Sequence, residues 1–321
     1  MRMDSLLGIP LGSEPVCDEI VIFEGGRELA VKSIREIGKV NTGWSIKTEE
    51  NKERVYRRDY TKVDSAPVLQ FGQKGAKNGC FQYPYSVAVN SRDEIVVADT
   101  KNHRIQVFDG SKGRRKGLFN VPYCVTFDPR NHQIVVADTR NHRIQIFDEK
   151  GTFIRAFGSK GKGNGQLEFP RGVAMSKEGG YVVSSEHCIQ VFDSAGNFVR
   201  KFGSQGNGDG QLLLPVGVGI LSTGNVVVGD WGNHKSQIFD PQGNFVCVFG
   251  VGIVSFPRWV FVDSDDNILV ACSGAIEVFK SDGTHLKAIG QGVISSASDV
   301  CMVRNGRIVV SGSVKQKVII F

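Results

Sequence analysis

The chain alternates short β-branched runs with polar turns and shows almost no helical periodicity. Its clearest unit is Ile95 to Phe108, IVVADTKNHRIQVF, which returns at Ile134 to Phe147 as IVVADTRNHRIQIF. Each copy reads as two antiparallel strands joined by D-T-[KR]-N-H-R, and neither buries its apolar face alone. Self-similarity at a period of about 40 to 50 residues is the mark of propeller blades.

From Phe71 the pattern runs to the end of the chain. Three Gly-rich cassettes share one spacing: Phe71 to Pro84 (FGQKGAKNGCFQYP), Phe157 to Pro170 (FGSKGKGNGQLEFP) and Phe202 to Pro215 (FGSQGNGDGQLLLP). Shorter versions end at Pro122 and Pro257, and a degenerate one at Ala297. After each comes an apolar strand, a polar turn and a second strand (IVVA, IVVA, YVVS, VVVG, ILVA, IVVS), then a third and in most units a fourth. Six such units predict an all-β fold, a six-bladed β-propeller over residues 65–321. The sixth unit stops at Phe321 after its third strand, while Ala66 to Phe71 (APVLQF), of fourth-strand type, precedes the first unit. That N-terminal strand is expected to complete the last blade and close the ring, which removes exposed sheet edges. Residues 1–64 stand apart as a partly flexible segment without an assigned function. In it Glu19 to Ile34 reads as a hairpin, and Lys47 to Lys62, dense in both charge signs, as a solvated linker.

The motif Asp-x-x-Asn-His-Arg-Ile-Gln at Asp99 to Gln106 and Asp138 to Gln145, echoed at Asp230 to Gln237 with Lys235 and Ser236, resembles the NHL repeat. With the cassettes, the likeness covers residues 65–321. The Y-P, F-P-R and D-W-G-N-H-K variants make the chain most similar to the TRIM-NHL and Brat-type post-transcriptional regulators. That resemblance implies a cytoplasmic protein whose propeller binds short single-stranded RNA (mRNA), uridine-rich, on one face and represses the bound transcript. Two departures matter. No RING or B-box cysteine/histidine cluster occurs here, so no ubiquitin-ligase activity is assigned to the chain. Units three, five and six carry Ser185, Cys272 and Gly312 at the Asp position, so the surface is not six-fold equivalent.

Charge sharpens the picture through its distribution, since a net +6 alone says little. In a four-stranded up-and-down blade, the turn between strands two and three and the cassette to the next blade emerge on one face, here called the top. Cations outnumber acids there, among them Lys74, Lys77, Lys101, Arg140, Lys160, Lys162, Arg171 and Arg258. The opposite turns have a slight excess of acids, a polarity suited to a polyanion. Aromatic residues gather on the same top face: Tyr83, Tyr85, Tyr123, Phe169, Trp231, Phe256 and Trp259. Rings that stack on bases, interleaved with cations that attract phosphates, are what single-stranded binding needs.

Each residue also has a plainer reading. Phe169 and Phe256 sit at strand entrances where a ring packs equally well on the neighbouring blade, and Trp259 is expected to be buried. The hydroxyls of Tyr83, Tyr85 and Tyr123 favour a wet edge, and Trp231, which replaces a Thr, is expected to project outward. Arg104, Arg143 and Lys235 recur beside Asp99, Asp138 and Asp230 and read as partners within the turn. Lys101 and Arg140 have no such repeated partner, and Arg171 and Arg258, each directly after a cassette proline, are the better candidates for phosphate or base edges. His103, His142 and His234 occupy equivalent turns and read as structural residues with RNA contact, or as ligands of an axial metal.

Composition excludes other classes. No apolar run approaches the length of a membrane-spanning helix, and the seven scattered cysteines form no C-x-x-C pair, as expected of free thiols in a reducing compartment. No catalytic motif of the G-x-S-x-G, H-E-x-x-H or G-x-x-x-x-G-K-[ST] type is present. No enzymatic activity, cofactor, small-molecule substrate or membrane partner is therefore expected. The RNA reading has one rival, a platform that recruits protein co-regulators or substrates.

Overall fold

The computed structural model describes residues 20–24, 27–31, 60, 63, 67, 69–77, 79–90, 94–108, 119–149, 151–303, 306–312 and 317–321. It is a six-bladed β-propeller, in which six antiparallel sheets face each other around an axis lined by their first strands. Blade 1 is Pro84–Val89, Ile95–Asp99 and Arg104–Phe108, and the segment that leads on from it lies outside the described residues. Blades 2 to 5 have four strands each, opening at Pro122–Phe127, Pro170–Met175, Pro215–Ile220 and Trp259–Val262.

Closure follows the expected scheme. Blade 6 is Asp299–Met302, Ile308–Gly312 and Lys317–Ile320, and its fourth strand is the N-terminal Leu69–Phe71, paired Val318 to Phe71 and Ile320 to Leu69. The hairpin expected near the N-terminus forms as Ile20–Glu24 and Arg27–Val31 and adds to the outer edge of that blade, Val21 opposite Gln70. Part of residues 1–64 thus shares a sheet with the propeller. The solvated-linker reading of Lys47 to Lys62 needs correction at its end, because Tyr60 is buried and donates its hydroxyl to Asp263 Oδ2 at 2.6 Å. A tyrosine ring is buried favourably when its hydroxyl finds an acceptor, and the rest of Lys47 to Lys62 lies outside the described residues.

Second strands are buried on both faces. Val96, Val97, Val135, Val136, Val183, Val227, Val228, Val270, Val309 and Val310 are wholly buried. A fully buried Val contributes about 1.5–3 kcal/mol, and the branched side chains suit a pleated surface between two neighbours. Fourth strands lie at the rim, where the blades splay apart, and expose Phe153, Ile154, Val199, Val246 and Val248.

Polar side chains also link neighbouring blades across the seams. Ser86 Oγ accepts the Val125 N–H at 2.9 Å, and Ser184 Oγ donates to the Val216 carbonyl at 2.7 Å. At the closing seam Asp299 Oδ2 accepts the Val87 N–H at 2.8 Å. Burial raises the Asp299 carboxyl well above its ordinary range, opposed by hydrogen bonds from Ser86, Val87 and Val300.

Candidate nucleic-acid interface

The top face is built by one hydrogen-bonding device. Asp99, fully buried, accepts the Gln82 N–H at 2.6 Å on one oxygen. On the other it accepts Asn102 Nδ2 at 2.9 Å, Arg104 Nε at 2.7 Å and Gln106 Nε2 at 3.0 Å. Asp138 does the same for the Asn120 N–H, Asn141, Arg143 and Gln145. Asp230 takes the Leu213 and Leu214 N–H groups and Asn233. The Asp, Asn, Arg and Gln of the repeat therefore tie each turn to the cassette that precedes its own blade. Arg104 and Arg143 are scaffold partners, as their spacing implies, and Lys235 instead donates to the carbonyls of Asn207 and Gly208.

The repeat histidine reaches the other way, to the following blade. Nδ1 of His103, His142 and His234 accepts the N–H of Val121, Phe169 and Phe256 at 3.2, 3.3 and 3.3 Å. Those acceptor–donor pairs require the residue before each proline to turn its N–H into the seam, and Val121, Phe169 and Phe256 do so with φ of 55°, 50° and 53°. A bulky residue in the left-handed region costs about 1–2 kcal/mol. Tyr83 shares the conformation at φ 55°. One result is that the rings of Tyr83, Phe169 and Phe256 stand 41%, 39% and 36% exposed on the top. The three histidines lie in separate seams, and among the described residues no three His, Cys, Asp or Glu come together in a way that holds a metal ion.

The predicted contacts fall into a rim and a centre. On the rim, Lys101 is exposed with Nζ 3.7 Å from the Tyr83 ring centroid, and Arg140 is exposed at the matching place in blade 2. Phe169 packs on His142 with centroids 4.8 Å apart, and Phe256 lies 4.1 Å from His234 and 5.2 Å from Trp231. Trp231, expected to project outward, is half-buried because Phe256 of the next blade offers it an apolar wall. Lys162 is drawn to Glu186 at 3.1 Å, an acid that its own cassette does not contain.

At the centre stand the residues that follow each cassette proline or its Ala297 equivalent: Tyr85, Tyr123, Arg171, Val216, Arg258 and Ser298. Tyr85 and Tyr123 are in ring contact, centroids 3.8 Å apart and planes 37° off parallel. Burial, with Tyr85 beside it, pushes the Tyr123 hydroxyl upward, so it stays a neutral donor. These two rings are half-buried rather than set on a wet edge. Arg258 donates Nη1 to Ser296 Oγ at 2.8 Å, its guanidinium 6.0 Å from the Tyr85 ring. Arg171 is half-buried, and its Nη1 is buried without a hydrogen-bond partner among the described residues. Burial disfavours the Arg171 charge, with Tyr123 and Tyr85 opposing the shift. A desolvated guanidinium with unspent donors favours an anion or carbonyl that completes it. Trp259 is buried, as expected.

Sequence reasoning did not reach the left-handed residues, the seam-spanning role of the histidines, or the exposed Val251 (67%) and Ile253 (44%) in the cassette before blade 5. The G-x-G flanks of Val251 were the available signal, since Gly250 and Gly252 take positive φ and project the side chains between them.

The NHL repeat family model matches residues 81–108 and 119–147, so the chain carries NHL repeats. Protein brain tumor of Drosophila melanogaster is 30% identical over 223 residues, 69% of this chain and 14% of that protein. The B-box type zinc finger protein ncl-1 of Caenorhabditis elegans is 60% identical over 40 residues, 12% of this chain and 5% of that protein. The chain thus spans a small part of the length of these relatives. Among solved structures, a gluconolactonase of Xanthomonas campestris superposes with a TM-score of 0.62 at 15% identity, over 78% of this chain and 89% of that one. The WD40 β-propeller domain of Doa1 gives 0.55 at 14%, over 74% and 77%. At these identities the structures share the propeller fold.

Proposed function

We propose that this NHL-repeat propeller is a cytoplasmic post-transcriptional regulator that binds short single-stranded, uridine-rich RNA across its top face. The observation that carries the reading is the centre of that face, where Arg171 keeps a buried, unpartnered Nη1 beside the Tyr85 and Tyr123 rings. Around it Tyr83, Phe169 and Phe256 offer exposed rings, and Lys101 and Arg140 offer exposed cations. A stacked base contributes about 1–3 kcal/mol. Similarity to the Drosophila brain tumor protein and the worm protein ncl-1 supports a regulator over an enzyme.

The test is a titration of the full chain with oligouridylate across salt concentrations. Affinity is expected to fall with salt at a log–log slope of about −0.7 per phosphate neutralised. The double variant Arg171→Gln/Arg258→Gln, checked for an unchanged circular dichroism spectrum, is expected to lose at least about tenfold in affinity. Unchanged affinity in that variant removes the top face as the RNA site.

A second reading, recruitment of a protein co-regulator, is favoured by the exposed Val251 and Ile253 beside Phe256. Val251→Ser/Ile253→Ser is expected to abolish capture of that co-regulator and leave the oligouridylate affinity unchanged. Retained capture moves the protein site elsewhere.

A further inference from the structure

We propose that the histidines of the repeat turns are hydrogen-bond donors of fixed polarity, which meet acceptor oxygens of the bound RNA in the seams between blades. The proposal rests on the RNA reading above for its ligand, but its polarity follows from the seams alone. A backbone N–H only donates, so Nδ1 of His103, His142 and His234, facing the N–H of Val121, Phe169 and Phe256, carries the lone pair. The neutral ring then holds its proton on Nε2. Nε2 lies across the ring from the seam, and it has no hydrogen bond to a described residue. His103 and His234 are exposed and His142 is half-buried, so this donor faces the solvent of the top surface.

Blade 3 supplies an internal control. Its turn between strands two and three holds two residues, Glu186 and His187, where blade 2 has four, Thr139 to His142. The shorter turn moves the left-handed position from the histidine to Glu186, at φ 46°. His187 Nδ1 then faces a carbonyl, Leu213 O at 2.5 Å, and not an N–H. A carbonyl only accepts, so this ring carries its proton on Nδ1, and its Nε2, 3.9 Å from Glu186 Oε1, is the lone pair of the neutral form. Three seams therefore offer donors and one offers an acceptor. The donor seams differ further: those of His142 and His234 add the exposed rings of Phe169 and Phe256, while the seam of His103 has Val121 in that place. A base stacked on either ring brings a carbonyl or its phosphate oxygen toward the Nε2–H.

The experiment uses the full ¹⁵N-labelled chain. Long-range ¹H–¹⁵N correlation spectra of the free protein are expected to show the Nε2–H tautomer at His103, His142 and His234 and the Nδ1–H tautomer at His187. An Nδ1–H tautomer at His142 or His234 overturns the proposal. On titration with oligouridylate the Nε2 resonances of His142 and His234 are expected to move. Two altered oligomers separate the source of the oxygen: 4-thiouridine weakens the base acceptor, and methylphosphonate linkages remove the anionic phosphate oxygen. Methylphosphonates also lose the general phosphate attraction, so the readout is the spectrum at saturation: the oligomer that lacks the contact oxygen is expected to leave those resonances closer to their free positions. Binding of native oligouridylate with both Nε2 resonances unmoved, or equal shifts of those resonances with all three oligomers at saturation, overturns the inference while the RNA reading stands. Absence of any oligouridylate binding overturns both.

Discussion

Blades 2 and 3 hold the cassettes that precede them, one shortened and one full-length, by different chemistry. In blade 2 the buried carboxylate of Asp138 gathers a backbone N–H, an asparagine, an arginine and a glutamine. In blade 3 a hydroxyl stands in its place and holds less, since Ser185 Oγ accepts the Glu168 N–H at 2.8 Å and donates back to its carbonyl at 3.1 Å. The glutamine is kept in both, since Gln190 accepts the Gly165 N–H at 3.0 Å and donates to the Gln166 carbonyl. The repeat motif is thus adhesive between turn and cassette. Its loss therefore leaves the blade standing while changing what the top face presents: an exposed Arg140 in blade 2, and Glu186 paired with Lys162 in blade 3.

The sharpest way to break this comparison is Asp138→Ala. It takes the acidic partner from Arg143 and the carboxylate acceptor from three further donors, and is expected to cost about 2–4 kcal/mol in denaturant unfolding. Ser185→Ala removes two neutral hydrogen bonds and is expected to cost about 1–2 kcal/mol. Equal losses for the two variants contradict the division of labour.

Between these lies the closing seam, where Asp299 plays the linking part that Ser86 plays between blades 1 and 2. Asp299→Ala leaves the Val87 N–H without its acceptor and is expected to cost about 1–3 kcal/mol. The carboxyl is raised above its ordinary value of 3.8, so the folded chain holds this proton more tightly than the unfolded chain does. Its stabilisation is full below pH 3.8 and is lost as pH rises toward the raised folded value. Asp299→Asn, neutral at every pH, is expected to gain stability relative to the parent as pH climbs from about 4 to 7, read from unfolding midpoints. A parallel pH profile in the two proteins shows that the carboxyl is ionised in the fold.

The smallest effect belongs to Lys101→Gln. Its cation sits over Tyr83 in the open, where such a contact contributes about 0.5–1 kcal/mol. Stability is expected to change by less than that, while oligouridylate affinity falls about two- to five-fold and the salt slope loses about 0.7. An unchanged slope removes Lys101 from the phosphate contacts.

Legibility in the sequence followed the range of the interaction. The pairing of Arg104 with Asp99, five residues apart, was visible because a repeated turn places both side chains locally. Burial of Trp259 was visible because it stands at the start of a core strand. The half-burial of Trp231 was not, since Phe256, which walls it in, belongs to the next blade. Nor was the contact between Tyr85 and Tyr123, which needs two first strands brought to the axis. The surplus of cations on the top overstated the free charge, because Lys162 and Lys235 find partners in neighbouring loops.

What the amino-acid sequence determined by itself was periodic or local: six units, the order of strands, closure by a strand before the first unit, and the pairing of Arg104 with Asp99 and of Arg143 with Asp138. A period of alternating apolar residues states which positions must be buried, and a sixth unit short of its fourth strand calls for the strand that precedes the first unit. The tertiary structure alone decided the seams, where His103, His142 and His234 meet residues 18, 27 and 22 positions away. That choice depends on the angle at which one blade packs on the next, and no local pattern encodes it. The left-handed residues before the prolines, the exposed rings they carry and the direction of each histidine proton are consequences of that angle.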